Sequence, residues 1–143
     1  MRKVFVDSTV LLRYLLNDDE EMSSIASELF GQAGNGEITL QIEPAVISEC
    51  CTILSGPSYK IPRQKISHVL TRLTLLDGVT TESPTRLAQA LSWFGTHEVA
   101  FVDAYLAAGV QDDEEVVASF NPDFEQMHVK VELLNGCKPC ATD

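Results

Sequence analysis

The stretch Val4-Phe5-Val6-Asp7-Ser8-Thr9-Val10-Leu11-Leu12-Arg13-Tyr14-Leu15-Leu16 constrains this chain more than any other. It opens with β-branched and aromatic residues, the signature of a strand. It continues with apolar residues at helical spacing. One acid, Asp7, sits at the junction. A strand that hands over directly to a helix opens an α/β unit, and an acid at its carboxyl end points into the crevice where such sheets bind ligands.

The rest of the chain extends this unit. Strands are expected at about residues 3–6, 37–41, 79–81 and 116–118, with an edge strand near 129–131. Helices are expected at about 8–16, 22–33, 44–54, 62–73, 84–94 and 101–110. Pro44, Pro62 and Pro84 suit helix starts, and Gly34-Asn35-Gly36 suits a helix stop. Strands separated by helices imply right-handed crossovers and a three-layer α/β/α domain with a mostly parallel central sheet. One domain over residues 1–133 is expected, with 134–143 as a C-terminal tail.

The chain has 143 residues, with 21 acidic against 10 basic and a formal net charge of -11. That balance argues against a surface that grips nucleic acid through broad positive charge. It leaves room for an enzyme that gathers acids around divalent ions and keeps a local basic strip. Lys60, Arg63, Lys65 and Arg72 form such a strip, in the fourth helix and its lead-in; an ordinary solvated helix face is the other reading. No apolar run is long enough to span a bilayer and no leader pattern opens the chain, so a cytoplasmic protein is expected. Cys50 and Cys51 fall in a helical apolar pattern and read as core. Cys137 and Cys140 form a C-x-x-C with no second ligand pair, and read as part of a reducible tail.

Three acids stand where a structural account is strained. Asp7 follows the first strand. Glu49 shares a helix face with Ala45, Val46 and Ile53. Asp103 lies among apolar and small residues in Phe101-Val102-Asp103-Ala104-Tyr105-Leu106-Ala107-Ala108. Each has a plain alternative: Asp7 as a helix cap, Glu49 as an edge acid reaching water, Asp103 as the cap of a later-starting helix. Together, three such acids from separate elements would repel one another if they converged. A hard divalent cation, Mg²⁺ or Mn²⁺, resolves that repulsion.

These residues resemble the motifs of the PIN-domain ribonucleases, and most closely the VapC-type toxins of bacterial and archaeal toxin–antitoxin pairs. Val6-Asp7-Ser8-Thr9-Val10-Leu11-Leu12-Arg13-Tyr14-Leu15 is similar to their first acidic motif, Val46-Ile47-Ser48-Glu49 to their helix-borne Glu motif, and the segment around Asp103 to their third. Ala118-Ser119-Phe120-Asn121-Pro122-Asp123-Phe124 resembles the closing motif, usually Thr-Phe-Asp, two residues, Phe. The likeness runs from about residue 3 to 131 and rests on four motifs in order. Two positions depart from it. Thr9 stands where the family often has Asn. Asn121 stands where it has a fourth acid, bringing a carbonyl oxygen but no charge; Asp123 is the nearby substitute.

The resemblance implies endonucleolytic cleavage of RNA, tRNA or ribosomal RNA foremost. Asp7, Glu49 and Asp103 would be catalytic metal holders for Mg²⁺ or Mn²⁺, joined by Asn121 or Asp123. Substrate contacts would come from Ser8, Thr9, Arg13, Lys60, Arg63 and Lys65. It also implies a cognate antitoxin protein, a homodimer, and no membrane partner. The competing reading is a metal-weakened PIN domain that binds RNA or protein without efficient cleavage. A receiver-like signalling domain also places acids at strand ends. It needs a late lysine and an acid pair after a strand, and Asp18-Asp19 follow a helix instead.

Overall fold

A computed structural model describes residues 1–134. Cys137 and Cys140, with nearly all of the expected tail, lie outside the described residues.

The first strand, β1 (Arg2–Phe5), passes through Val6 and Asp7 into α1 (Ser8–Leu16). Asn17 ends α1 in the left-handed region (φ 53°). Asp19 then caps α2 (Glu20–Gly34), accepting the Met22 N–H at 3.0 Å. α2 returns the chain to β2 (Ile38–Gln41), parallel to β1 with Arg2 opposite Ile38 and Phe5 opposite Gln41. Two helices, α3 (Pro44–Ser55) and α4 (Arg63–Thr74), make the next crossover to β3 (Val79–Thr80), parallel to β2. Gly78 precedes β3 at φ +83°, and a Cβ there would lie 2.2 Å from the Ala33 carbonyl oxygen, so only glycine fits the turn. The chain continues through α5 (Pro84–Thr96), α6 (Phe101–Ala107), β4 (Val117–Ser119), a 3-10 helix (Pro122–Met127) and β5 (Val131–Leu133).

Every strand pair is parallel, as the alternation of strands and helices required. The strands fall in two groups, β1-β2-β3 and β4-β5. The expected inner strand near 116–118 is therefore corrected: β4 pairs with β5 alone. Its composition explains this. Val117 is buried but Ala118 is exposed, so β4 lacks the two apolar faces that a strand in the middle of a parallel sheet needs.

The core is formed by Leu11 of α1, Leu40 of β2, Ile47 and Leu54 of α3, Ile66 and Leu70 of α4, and Leu87 and Leu91 of α5, all essentially inaccessible. Truncating one of these leucines to alanine costs about 2–5 kcal/mol. Cys50 and Cys51 belong to this core, and burial pushes both thiols up to about 12, which leaves them unreactive. The apolar stripe of α2 is only half covered: Ala26, Phe30 and Ala33 are buried, whereas Met22 and Ile25 are exposed. No helix of the described residues is long and apolar enough to cross a membrane.

Candidate metal centre

Four carboxylates are carried by elements packed in series. α1 packs on α3, α3 on α6, and α6 on the 3-10 helix Pro122–Met127. Those elements bear, in turn, Asp7 at the N-cap, Glu49, Asp103 and Asp123.

Asp7 caps α1. Its Oδ1 accepts the Thr9 N–H at 3.1 Å, the Val10 N–H at 3.3 Å and the Thr9 hydroxyl at 2.5 Å. Among the described residues, nothing donates to Oδ2. The Thr9 hydroxyl, then the Val10 amide, hold the Asp7 carboxyl below the ordinary carboxylate range. The cap and the ligand readings of Asp7 are thus compatible: one oxygen serves the helix and the other is open. Ser8 is buried and Thr9 exposed, so of the two hydroxyls Thr9 faces the surface.

Glu49 and Asp7 both act on the Cys50 thiol, whose upward shift comes first from burial and then from these two charges. Both carboxylates are exposed, so a burial penalty cannot be what calls for a cation here. Asp103 differs. It is half-buried, and its carboxyl is pushed up first by desolvation and then by the charge of Asp123. α6 starts at Phe101 with Ala100 in the cap position, so Asp103 lies within the first turn and is not a cap.

Asn121 has a structural task. Its side-chain oxygen accepts the Asp123 N–H at 2.9 Å and caps the 3-10 helix, while its own N–H donates to Ser119 Oγ at 2.9 Å. The carboxylate whose charge acts on Asp103 is that of Asp123.

The donors are all hard oxygens, which suits Mg²⁺ or Mn²⁺. Among the described residues, no three acids, histidines or cysteines stand close enough to enclose a metal on their own. Asp103 and Asp123 interact as a pair, and Asp7 and Glu49 both lie near the Cys50 thiol. Mg²⁺ takes one or two carboxylates and keeps several waters, so a pair is a fitting donor set.

The basic residues divide. Lys60, Lys65 and Arg72 are exposed. Arg63 is turned inward: its Nε donates to the Phe94 carbonyl at 2.9 Å, an Nη donates to the Val99 carbonyl, and the guanidinium lies 3.9 Å from the Phe94 ring centre. Arg13 pairs with Asp18 at 2.9 Å and lines a groove of about 550 Å³ between α1 and α2, with Thr9, Val10, Met22, Ile25 and Leu29.

Sequence reasoning missed a polar chain centred on the buried Gln41. Gln41, at the carboxyl end of β2, donates to Glu43 Oε2 at 3.0 Å and accepts the Thr80 hydroxyl at 2.9 Å. A glutamine between Leu40 and Ile42 was the available signal.

The PIN domain family profile matches residues 4–130. No curated protein and no solved structure gives a significant match.

Proposed function

The chain belongs to the PIN-domain family, whose members are generally nucleases, and from that premise we propose that it is a metal-dependent endoribonuclease, the toxin of a toxin–antitoxin module. The carrying observation is that four carboxylates, Asp7, Glu49, Asp103 and Asp123, lie on elements packed one against the next, with the Asp123 charge acting on Asp103.

In this reading Asp7, through Oδ2, Glu49, Asp103 and Asp123 hold Mg²⁺ or Mn²⁺. When bound, the cation neutralises charge on the scissile phosphate and lowers the pKa of the attacking water. Thr9 keeps Oδ1 of Asp7 engaged, which fixes the plane of the carboxylate. Glu49, exposed on α3, would act as the base that accepts a proton from the attacking water. Asn121 serves the site by fixing the turn that carries Asp123. Lys60, Lys65 and Arg72 carry the RNA backbone, with Arg13 at the far end of α1.

The partners follow the same reading. An antitoxin would set an arginine among the acids and apolar residues in the groove beside Thr9, and the chain would pair with a second copy.

The test uses protein freed of any partner, incubated with a mixed tRNA and ribosomal RNA pool. Cleavage is expected with Mg²⁺ or Mn²⁺ and absent in chelator or after Asp7→Asn. Cleavage that persists in chelator would overturn the metal mechanism.

One observation favours a second reading. The family's fourth acid is Asn121 here, and its oxygen is occupied as a cap. A chain that binds RNA in the same assay but leaves it intact at every metal concentration would be a binding module.

A further inference from the structure

We propose that Arg86 is a positioning residue for Asp103, holding the helix that carries it, while Arg63 holds the start of the same helix. The inference rests on the reading of Asp103 as a metal-holding carboxylate.

α6 has seven residues and packs on α5, α3 and the 3-10 helix. A helix this short has little intrinsic stability. Ala100 at its N-cap supplies no side-chain hydrogen bond. Its outer face is open, with Val102 61% and Leu106 51% exposed. Its inner face is Phe101, Ala104 and Ala107, and the two alanines are small contacts for resisting rotation about the helix axis. Asp103 lies between these faces, so a modest rotation of α6 would move its carboxylate away from Asp123.

Two arginines from neighbouring helices supply further anchors. Arg63 of α4 donates to the carbonyls of Phe94 and Val99, fixing the segment that leads into α6. Arg86 of α5 donates from Nε to the Tyr105 carbonyl at 2.8 Å, two residues beyond Asp103. Its guanidinium lies 4.0 Å from the Tyr105 ring centre, and that ring stacks on Phe101 at 5.8 Å. A cation at a last-turn carbonyl is also favoured by the helix dipole. The slot is shaped for Arg86: a Cβ on Gly109 would lie 2.6 Å from its Nη2. Among the described residues neither arginine forms an ion pair. Arg63 is directed to backbone oxygens that precede α6, and Arg86 to one within it.

The experiment measures Mn²⁺ affinity of the full chain by electron paramagnetic resonance, with thermal melting in chelator alongside. Arg86→Gln should weaken Mn²⁺ binding about tenfold, well below its melting temperature, as is typical for partners that orient metal ligands. Gly109→Ala, which displaces the guanidinium but removes no charge, should weaken it in the same direction by a smaller factor. Arg86→Lys should not restore wild-type affinity, because an ammonium cannot stack and donate as a planar fork does. A purely structural role would lower the melting temperature and leave the affinity of the folded protein unchanged, which overturns the proposal. If Arg86→Gln does not fold, Gly109→Ala decides alone: wild-type affinity there overturns the proposal. Asp103→Asn tests the premise separately. Wild-type Mn²⁺ binding in that variant would sink the metal reading and the positioning role with it. Loss of binding there, with none in the Arg86 and Gly109 variants, would sink only the positioning role.

Discussion

Asp7 and Asp103 are displaced in opposite directions, and the difference separates their structural from their chemical roles. The folded state lowers the Asp7 carboxyl through the Thr9 and Val10 bonds. Its contribution to stability is therefore complete above its ordinary value of 3.8 and is lost as pH falls through the lower folded value. Asp103 is raised by desolvation and by Asp123. The folded state then holds that proton more tightly than the unfolded chain, so stability falls as pH rises from 3.8 through the raised value. Two outcomes follow. Asp7→Asn keeps an N-cap oxygen but loses the charge-dependent part of that stability, so melting near neutral pH should fall slightly, and less than in Asp7→Ala, while cleavage is lost; Asp7→Ala should lose cleavage and about 1 kcal/mol of stability. A large melting loss in Asp7→Asn would mean that the charge, not the cap, is structural. Asp103→Asn in chelator should melt at or above the wild-type temperature at neutral pH, because it removes a desolvated charge, and this advantage should vanish below the ordinary carboxylate range. The positions of these acids were legible in the sequence, since strand ends and helix faces are local properties. Their exposure was not, because it depends on which elements cover them.

At the scale of elements, the alternation of strands and helices could be read from apolar spacing alone, and α1 falls on its expected residues. What spacing could not reveal was pairing across distance. The run Val116-Val117-Ala118 reads as an inner strand, yet β4 (Val117–Ser119) has β5 as its partner alone. Arg63 looked like one more cation in a basic stretch, while its carbonyl partners lie 31 and 36 residues further on. The closing turn shows the same limit: Asn121 appeared as a missing acid, and its role as cap of the 3-10 helix appears only once the turn is formed. Aspartate caps as well as asparagine, so Asn121→Asp should preserve the turn and melt within about 0.5 kcal/mol of wild type. If the added carboxylate joins the Asp103–Asp123 pair, half-maximal cleavage should occur at lower Mg²⁺. An unchanged Mg²⁺ requirement would place residue 121 outside the metal shell. Asn121→Ala should instead lose about 1 kcal/mol and, by loosening Asp123, require more metal.

At the scale of the molecule, the proposed function would bring a chain of net charge -11 to a polyanion. The mean field repels RNA, and the repulsion weakens as salt rises. Local contacts act in the other direction, because each phosphate neutralised by a lysine or arginine releases counterions that added salt opposes. Which term dominates depends on how many cations are free to reach the backbone. α4, Arg63–Thr74, contains no acid, and with Lys60 it is the cationic face of an acidic protein. Arg63 is committed to backbone carbonyls, leaving Lys60, Lys65 and Arg72. Three contacts to single-stranded RNA give a slope of log affinity against log salt of about −2, and the receding mean-field repulsion should make the observed slope shallower still. Binding measured in chelator, so that the substrate stays intact, should therefore weaken only modestly with salt. Replacing Lys60 and Lys65 together by glutamine should flatten the slope by about 1 to 1.5. Arg63→Gln should leave the slope unchanged and lower the melting temperature instead. A slope unaffected by the double substitution would remove this face from RNA binding and turn attention to Arg13 and the groove between α1 and α2.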